Sequence, residues 1–183
     1  MEFGFSKEHA LLKQMYREFA ENEVKPLAAE VDEMERFPVE TVEKMVKAGF
    51  MGIPFPKKYG GEGGDNLGYA MAVEELSRVC GTTGVIVSAH TSLGAHPIFE
   101  FGTEEQKEKF LVPLAKGEKL GAFGLTEPNA GTDAAGQQTT AVLDGDEYVI
   151  NGSKIFITNG YLCDMAIVVC KTGNNERECR SAV

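Results

Sequence analysis

Tryptophan is absent from this 183-residue sequence, and histidine and cysteine are scarce, with three and four residues respectively. The cysteines show no CxxC spacing and do not cluster with the histidines, so the ligands that a zinc ion needs are missing. We therefore predict free thiols and no metal site. The four cysteines are Cys80, Cys163, Cys170 and Cys179.

Positive charge is also in short supply. The chain has 18 lysines and arginines against 28 aspartates and glutamates, and no basic run interrupts this acidity. We therefore expect no binding to nucleic acid or to an anionic membrane. No apolar run approaches the roughly 18 residues of a membrane span, and the N-terminus is acidic and amphipathic, unlike a signal peptide. These absences predict a soluble, cytoplasmic protein, and its 43% hydrophobic content is enough for a real core.

Helical spacing of apolar residues dominates the first 117 residues. The first stripe runs from Ser6, a candidate N-cap, to about Glu33. Pro26 lies inside this stripe and cannot donate an amide hydrogen, so we expect a kink there and not a loop. A second, shorter helix is expected to end at Gly49.

Further helices are expected on both sides of position 100. Residues 52–65 are dense in glycine and proline and predict a loop, after which Asn66 is a candidate cap. The segment Gly84–Phe101 carries little charge, which predicts a helix buried on most of its circumference. Thr103 and Gln106 then match the spacing of a capping box.

Alternation of apolar and polar residues replaces helical spacing near Lys119. Turn signals at Asp144-Gly145 and Asn151-Gly152 predict strands on both sides of each turn. Met165–Cys170 is a further short apolar strand. A few short strands leave exposed edges, so we expect that further chain or a partner is needed to close the sheet.

These patterns predict an α+β fold with two parts. Residues 1–118 form an all-helical domain, and residues 119–183 form an incomplete antiparallel β domain. The end of the chain, residues 171–183, is polar, charged and aperiodic, which predicts disorder or poor packing.

The run from Lys154 to Thr158 has a two-residue period, which predicts a strand. Ile155 and Ile157 then lie on one face, and Phe156 and Thr158 on the other. Taken alone, Phe156 is best interpreted as a core aromatic on a half-buried strand. A hydroxyl beside an aromatic ring on one face nevertheless suits a ligand that has both a ring and hydrogen-bonding edges.

The segment Leu125–Asp133 combines hydroxyl-bearing and acidic residues with proline, alanine and glycine. Such a loop can present amide and hydroxyl donors to a polar ligand. On composition alone an ordinary turn between strands is the better interpretation.

Several long strings nevertheless recur in the order found in the acyl-CoA dehydrogenase family. They are FPKKYGGEGG, EELSRVCGTTG, FGTEEQKEKFLVPLAKGE, GLTEPNAGTD and NGSKIFITNG. The sequence most resembles the bacterial short-chain, or butyryl-CoA, members, over about Met1 to Cys170. The string after Cys170 does not follow the family pattern. The resemblance implies an N-terminal and partial middle portion, without the family's C-terminal helical bundle.

The resemblance implies an FAD site built from the two segments near positions 125 and 157. Thr126 is expected to meet the polar edge of the flavin. Gly131 and Thr132 are expected to form the turn that approaches the FAD phosphates. Phe156 takes the place of an aromatic residue, often tryptophan, that packs beside the flavin ring. The implied cofactor-binding residues are Phe123, Leu125, Thr126, Gly131, Thr132, Phe156, Ile157 and Thr158.

The resemblance also implies contacts with an acyl-CoA substrate. Thr132 is expected near the CoA thioester. Val87, His90 and Thr91 are expected to line the inner end of the acyl pocket, where bulk favours short acyl chains. For His90 we expect a packing or chain-length role and no proton transfer.

The activity implied is FAD-dependent α,β-dehydrogenation of a short-chain acyl-CoA thioester to the 2-enoyl-CoA. The base, a glutamate in the family, belongs to the C-terminal helical domain, and no residue here matches it. We therefore expect no catalytic residue in this chain and negligible activity from it alone. Open alternatives are a non-catalytic flavin-binding or subunit-association module and a fragment of an acyl-CoA oxidase. The implied partners are an electron-transferring flavoprotein and, for the full-length protein, three further copies in a homotetramer.

Overall fold

The computed structural model describes residues 4–172 in full and the backbone of residues 179–182. Helices come first along the chain and a small sheet follows, so the predicted α+β class is confirmed. The α-helices are α1 Lys7–Phe19, α2 Lys25–Glu33, α3 Val39–Lys47, α4 Asn66–Val79, α5 Gly81–Ser88, α6 His96–Phe101, α7 Glu104–Gln106 and α8 Val112–Ala115. The strands are β1 Gly121–Gly124, β2 Thr140–Asp144, β3 Glu147–Asn151, β4 Met165–Lys171 and β5 Cys179–Ala182. None of the described helices is both long and apolar enough to cross a membrane.

The first long helical stretch follows the sequence closely. Ser6 caps α1, and its hydroxyl accepts a hydrogen bond from the amide of His9 at 3.1 Å. Between α1 and α2 the backbone widens into a π-helical turn at Ala20–Val24, directly before Pro26. Pro26 has no amide hydrogen, and the wider turn leaves space for its ring. The helical stretch therefore continues past Pro26 without a loop, as predicted.

The predicted helix ends are mostly confirmed. Gly49 follows α3 with φ +77°, a conformation that glycine adopts without strain. The predicted cap of α4 is wrong by one residue, because Asp65 and not Asn66 holds this place. The Oδ1 atom of Asp65 accepts from the amide of Gly68 at 2.8 Å.

The predicted buried helix over residues 84–101 is confirmed as α5, a π-helical segment Ala89–Ala95, and α6, which follow one another without a break. It contributes to two apolar clusters. The first core includes Tyr16, Met45, Phe50, Met71, Leu76 and Val87. The second core includes Phe55, Tyr59, Ile98, Leu111, Leu114 and Ile167, and Ile167 joins it to the sheet.

The capping box of α7 gives a direct test of the helical half. The amide of Gln106 donates to the hydroxyl of Thr103 at 3.2 Å, and the Gln106 side chain accepts from the Thr103 amide at 2.9 Å. We expect Thr103→Ala to lower the free energy of unfolding by about 1 kcal/mol, measured by urea denaturation. Thr103→Ser keeps the hydroxyl and should lose much less. Equal losses for the two variants would contradict the assigned cap.

The sheet is mixed, which corrects the predicted antiparallel arrangement. β1 and β4 pair in parallel, with Gly121 opposite Met165, whereas β2 and β3 pair antiparallel across a two-residue loop. β2 also meets the end of β4 in parallel at Thr140 and Lys171. The β2–β3 hairpin and two loops separate β1 from β4, so the chain returns in the same direction.

The hairpin of β2 and β3 exposes several large apolar side chains, in keeping with the incomplete sheet expected. They are Val142, Leu143, Tyr148, Val149 and Ile150.

Part of the tail pairs with the sheet. Cys179–Ala182 form β5, which pairs antiparallel with β4. Main-chain pairing of this stretch does not require an apolar pattern, and the expectation of disorder or poor packing over residues 171–183 stays a prediction. Residues 173–178 and 183, to which the same prediction applied, lie outside the described residues.

Candidate functional site

The loop after β1 is held by the buried carboxylate of Glu127. The Oε1 atom of Glu127 accepts from the amide of Thr139 at 2.9 Å, and Oε2 accepts from the amide of Gln138. These bonds fix the loop against the approach to β2. Glu127 is therefore fixed by the fold and is not a solvated loop residue.

Lys154 approaches the same carboxylate from the second segment. Its ammonium donates to Glu127 Oε1 at 2.7 Å, to the carbonyl of Leu125 at 2.8 Å and to Gln137 Oε1 at 3.0 Å. An ammonium has three hydrogens, so these bonds use all of its donors. The side chains of Lys154 and Glu127 are only 11% and 5% exposed.

The charge state of this pair follows from its partners. Burial by itself raises the pKa of Glu127, but the Lys154 ammonium and the donors of Gln138 and Thr139 more than offset this and lower the pKa to about 2. Glu127 is therefore a carboxylate at neutral pH. Both of its oxygens are engaged, so it is not a candidate proton acceptor.

The predicted strand over Lys154–Thr158 is wrong. These residues form an irregular loop after β3, and Phe156 has φ +59°, outside the strand region. The alternating pattern does not lead to a strand here, because tertiary contacts hold both ends of the segment in a loop. The loop nevertheless meets the first segment directly, since the amide of Ile155 donates to the carbonyl of Thr126 at 2.9 Å.

Asn159 holds the other end of this loop. Its buried side-chain amide donates to the carbonyls of Gly121 at 3.0 Å and Ile86 at 3.2 Å. The second segment is thereby fixed to both β1 and α5. Phe156 lies between the anchors Lys154 and Asn159 and is 86% exposed, so it is not the core aromatic that an isolated strand would predict.

The structure brings most of the predicted cofactor residues together. Leu125, Thr126, Ile157 and Thr158 are half-buried on the two joined segments. A cleft of about 430 Å³ is lined by Gly124 of β1, which directly precedes the first segment, and by Lys154 and Ile157 of the second. Of the predicted cofactor residues, Ile157 lines this cleft, and the first segment meets the second through the bonds of Lys154 and Ile155.

The remaining predicted cofactor residues are less clustered. Phe123 packs against the second core beside Ile167, so its ring faces the helical domain. Gly131 and Thr132 lie in an exposed turn. A Cβ atom at Gly131 would meet no atom within 4 Å, so the space beside this turn is open.

The predicted substrate residues of the buried helix face the interior. Val87, His90 and Thr91 are at most 1% exposed, and Val87 belongs to the first core. The hydroxyl of Thr91 donates to the carbonyl of Met51 at 3.3 Å. The three side chains are held inside the helical part of the chain, and their contact with the acyl group stays a prediction.

His90 instead links the helix to β1. The amide of Gly121 donates to Nδ1 of His90 at 2.9 Å, so the ring hydrogen lies on Nε2, which donates to the carbonyl of Leu114 at 3.1 Å. This geometry agrees with the expected packing role.

Another face of the same helix lines an open cleft of about 390 Å³. Thr82 lies one helical turn before Val85 and Ile86, and all three line this cleft together with Thr158. The full lining is Phe37, Gly81, Thr82, Val85, Ile86, Thr158 and Asn159. The cleft thus lies between the helical domain and the second segment.

Sequence reasoning missed Glu127, Lys154, Asn159, Val85 and Ile86. Glu127 and Lys154 lie within the two segments that the sequence singled out, and their opposite charges were the available signal. Asn159 with Gly160 has the composition of a turn, and its φ of +66° agrees with that. Val85 and Ile86 had no separate signal, because the helix is apolar on most sides.

Comparison with protein families gives two matches. A model of the N-terminal domain of acyl-CoA dehydrogenases matches residues 6–118, and a model of their middle domain matches residues 122–183. The short-chain specific acyl-CoA dehydrogenase of Clostridium acetobutylicum is 69% identical over 172 residues, which are 94% of this chain and 45% of that protein. The chain spans about half the length of the curated relatives it matches.

Solved structures agree with these matches. Butyryl-CoA dehydrogenase from Megasphaera elsdenii superposes with a TM-score of 0.92 and 44% identity, over 99% of this chain and 49% of that one. An acyl-CoA dehydrogenase from Bacillus anthracis complexed with FAD has a TM-score of 0.85 and 40% identity, over 92% of this chain and 29% of that one. The protein described here belongs to the acyl-CoA dehydrogenase family.

Proposed function

We propose that this chain supplies the FAD-facing part of an enzyme that dehydrogenates short-chain acyl-CoA thioesters. The observation that carries the proposal is the joining of the two segments around an exposed aromatic residue. Phe156 is 86% exposed although contacts on both sides fix the loop that bears it. An apolar ring held in place and left uncovered suits a planar ligand.

The residues present fit a flavin. The ring of Phe156 offers an apolar surface, and the half-buried hydroxyls of Thr126 and Thr158 lie on the same two joined segments. The open space beside Gly131 leaves room for a bulky group at the exposed turn. A ring with a polar edge and a long phosphate-bearing tail matches this combination.

Each group on the chain then has a task in the reaction. The chemistry that FAD would supply here is acceptance of a hydride from the β carbon. Phe156 would shield one side of the ring from water, and the hydroxyls of Thr126 and Thr158 would hydrogen-bond its polar edge. We place Thr132 and the turn around it near the thioester, as the resemblance implies.

We propose that the acyl chain lies in the cleft between α5 and Thr158. Val85 and Ile86 offer an apolar wall there, next to the proposed flavin site. The buried side of the same helix packs into the first core through Val87, so the helix closes this side of the cleft. We propose a short acyl group here, by analogy with the short-chain specific relative of Clostridium acetobutylicum.

The proposal assigns no proton acceptor to this chain. The resemblance places the base, a glutamate, in a C-terminal helical domain, so we expect residues 1–183 alone to show negligible turnover. Electron transfer to an electron-transferring flavoprotein and assembly as a homotetramer extend the proposal to the full-length enzyme.

The flavin site is tested by titrating the purified chain with FAD and following flavin fluorescence. We expect saturable binding by the wild type and about tenfold weaker binding by Phe156→Ala, because one aromatic stacking contact is lost. Phe101→Ala is the matched control, since this phenylalanine is 88% exposed on α6. Equal affinities of Phe156→Ala and Phe101→Ala would contradict the assignment.

The acyl cleft is tested by filling it. Val85→Trp adds an indole to the wall of the cleft, and we expect about tenfold weaker binding of butyryl-CoA to the FAD-saturated chain, measured by calorimetry. Leu93→Trp is the matched control, because Leu93 is similarly exposed further along the same helical stretch. Unchanged binding by Val85→Trp would place the acyl group elsewhere.

A further inference from the structure

Glu127 and Lys154 form a buried ion pair between the two segments. The ammonium uses three donors, and the two carboxylate oxygens take three. All three ammonium hydrogens and both carboxylate oxygens are engaged, and neither side chain is exposed. The pair can therefore affect a bound molecule by positioning the backbone groups to which it is hydrogen-bonded.

The groups held are those that bracket the proposed flavin site. Lys154 bonds the carbonyl of Leu125, which precedes Thr126, and it lies two residues before Phe156. The backbone bond from Ile155 to Thr126 lies directly beside the ion pair. The ion pair and this backbone bond together set the distance between the hydroxyl-bearing segment and the aromatic one.

Strand pairing does not hold the loop at this end. Residues 152–158 belong to no strand, and the ring of Phe156 is exposed instead of packed. Gly124 lies against the Lys154 stem, since a Cβ atom there would come within 3.4 Å of its Cγ atom. The lysine is therefore confined along its length as well as at its charged end.

Stability alone does not explain a charged pair at this place. Removing two charges from water costs free energy that their attraction often only balances, so apolar residues would serve a merely structural purpose as well. A pair with directional bonds fixes geometry more narrowly than apolar packing does.

We infer that Glu127 and Lys154 are positioning residues for the flavin, a role that rests on the proposed function. Their contact fixes Thr126 and Phe156 relative to each other, and FAD affinity depends on that spacing. The pair itself does not touch the cofactor.

The test compares FAD affinities of the 183-residue chain and its variants by fluorescence titration. We expect Lys154→Met to bind FAD at least tenfold more weakly, because one charged anchor is lost. Lys154→Arg keeps a cation and should recover most of the affinity. Lys44→Met is the matched control, since Lys44 pairs with Glu23 at 2.6 Å on the surface and should leave the affinity unchanged.

Amide hydrogen exchange gives a readout that needs no flavin. In Lys154→Met we expect faster amide exchange at Gln138 and Thr139, which donate to Glu127, and at Ile155, which donates to the carbonyl of Thr126. Exchange in α4 should be unchanged. Urea unfolding of each variant separates this local effect from a global one. If Lys154→Met does not fold, Glu127→Gln, which keeps the side-chain shape, takes its place and should also weaken FAD binding.

The outcomes separate the two claims. A wild type that binds FAD while its folded variants bind equally well would overturn the positioning role and leave the proposed function intact. A wild type that binds no FAD would overturn both. Weaker binding by Lys154→Met with recovery in Lys154→Arg would support both.

Discussion

Replacing His90 by alanine is expected to lower the free energy of unfolding by about 3 to 5 kcal/mol. The ring is fully buried and bonds both the amide of Gly121 and the carbonyl of Leu114. Alanine would leave both backbone groups without partners and would open a cavity between the helix and β1. Urea denaturation at neutral pH measures the loss.

The surface histidine His96 provides the control. Its nearest acidic partner is Glu100 at 3.8 Å, and both side chains are well exposed. We expect His96→Ala to change stability by less than about 0.5 kcal/mol. Similar losses in the two variants would contradict the assigned role of His90.

The same ring predicts a dependence of stability on pH. Burial lowers the pKa of His90 to about 4, although the hydrogen bond to Leu114 acts in the opposite direction. Between the ordinary value of 6.5 and this lowered value, the unfolded chain binds a proton that the folded chain does not. The free energy of unfolding therefore falls as pH falls through this window, and the effect is absent above it.

This pH dependence is checked with His90→Gln, which keeps a polar side chain and cannot titrate. We expect the difference in unfolding free energy between wild type and His90→Gln to narrow from pH 7 to pH 5. A constant difference would show that the ring does not stay neutral in the fold.

Gly61→Ala is expected to cost about 3 kcal/mol of unfolding free energy for a steric reason. A Cβ atom at this position would lie 2.2 Å from the carbonyl oxygen of Phe55 and 2.7 Å from that of Gly52. Both obstacles are backbone atoms, so no side chain can rotate away. The loop would have to separate from the second core, which contains Phe55.

Gly81→Ala is the control for this substitution. A Cβ atom at Gly81 would meet no atom within 4 Å, and the residue begins α5. We expect it to be neutral or stabilising by up to about 1 kcal/mol, because alanine favours the helix. Equal destabilisation of Gly61→Ala and Gly81→Ala, measured by urea denaturation, would contradict the close approach at Gly61.

The helical domain could be predicted because its signals are local. Ser6 and Thr103 cap helices through residues three positions away, and Pro26 acts on its own turn. A helix that is apolar on most sides does not reveal which face meets a ligand. The sequence alone therefore does not distinguish Val85 and Ile86, which line the cleft, from Val87 and His90 on the same helical stretch.

The sheet and the second segment were harder because their geometry depends on distant contacts. Turn chemistry identifies strands that pair across a hairpin, as in β2 and β3, but gives no information on the parallel pairing of β1 with β4. The period of Lys154–Thr158 matched a strand, yet the bonds of Lys154 and Asn159 to residues far along the chain shaped a loop instead. The resemblance identified the two segments, and the structure shows how they are joined.

Amide hydrogen exchange of the wild-type chain, with and without saturating FAD, tests the central claim most directly. If one cofactor binds both segments, FAD should slow exchange at Leu125–Thr126 and at Phe156–Thr158 together, and at the same FAD concentration. Slowing in one segment alone, or in neither, would contradict a flavin site built from the two.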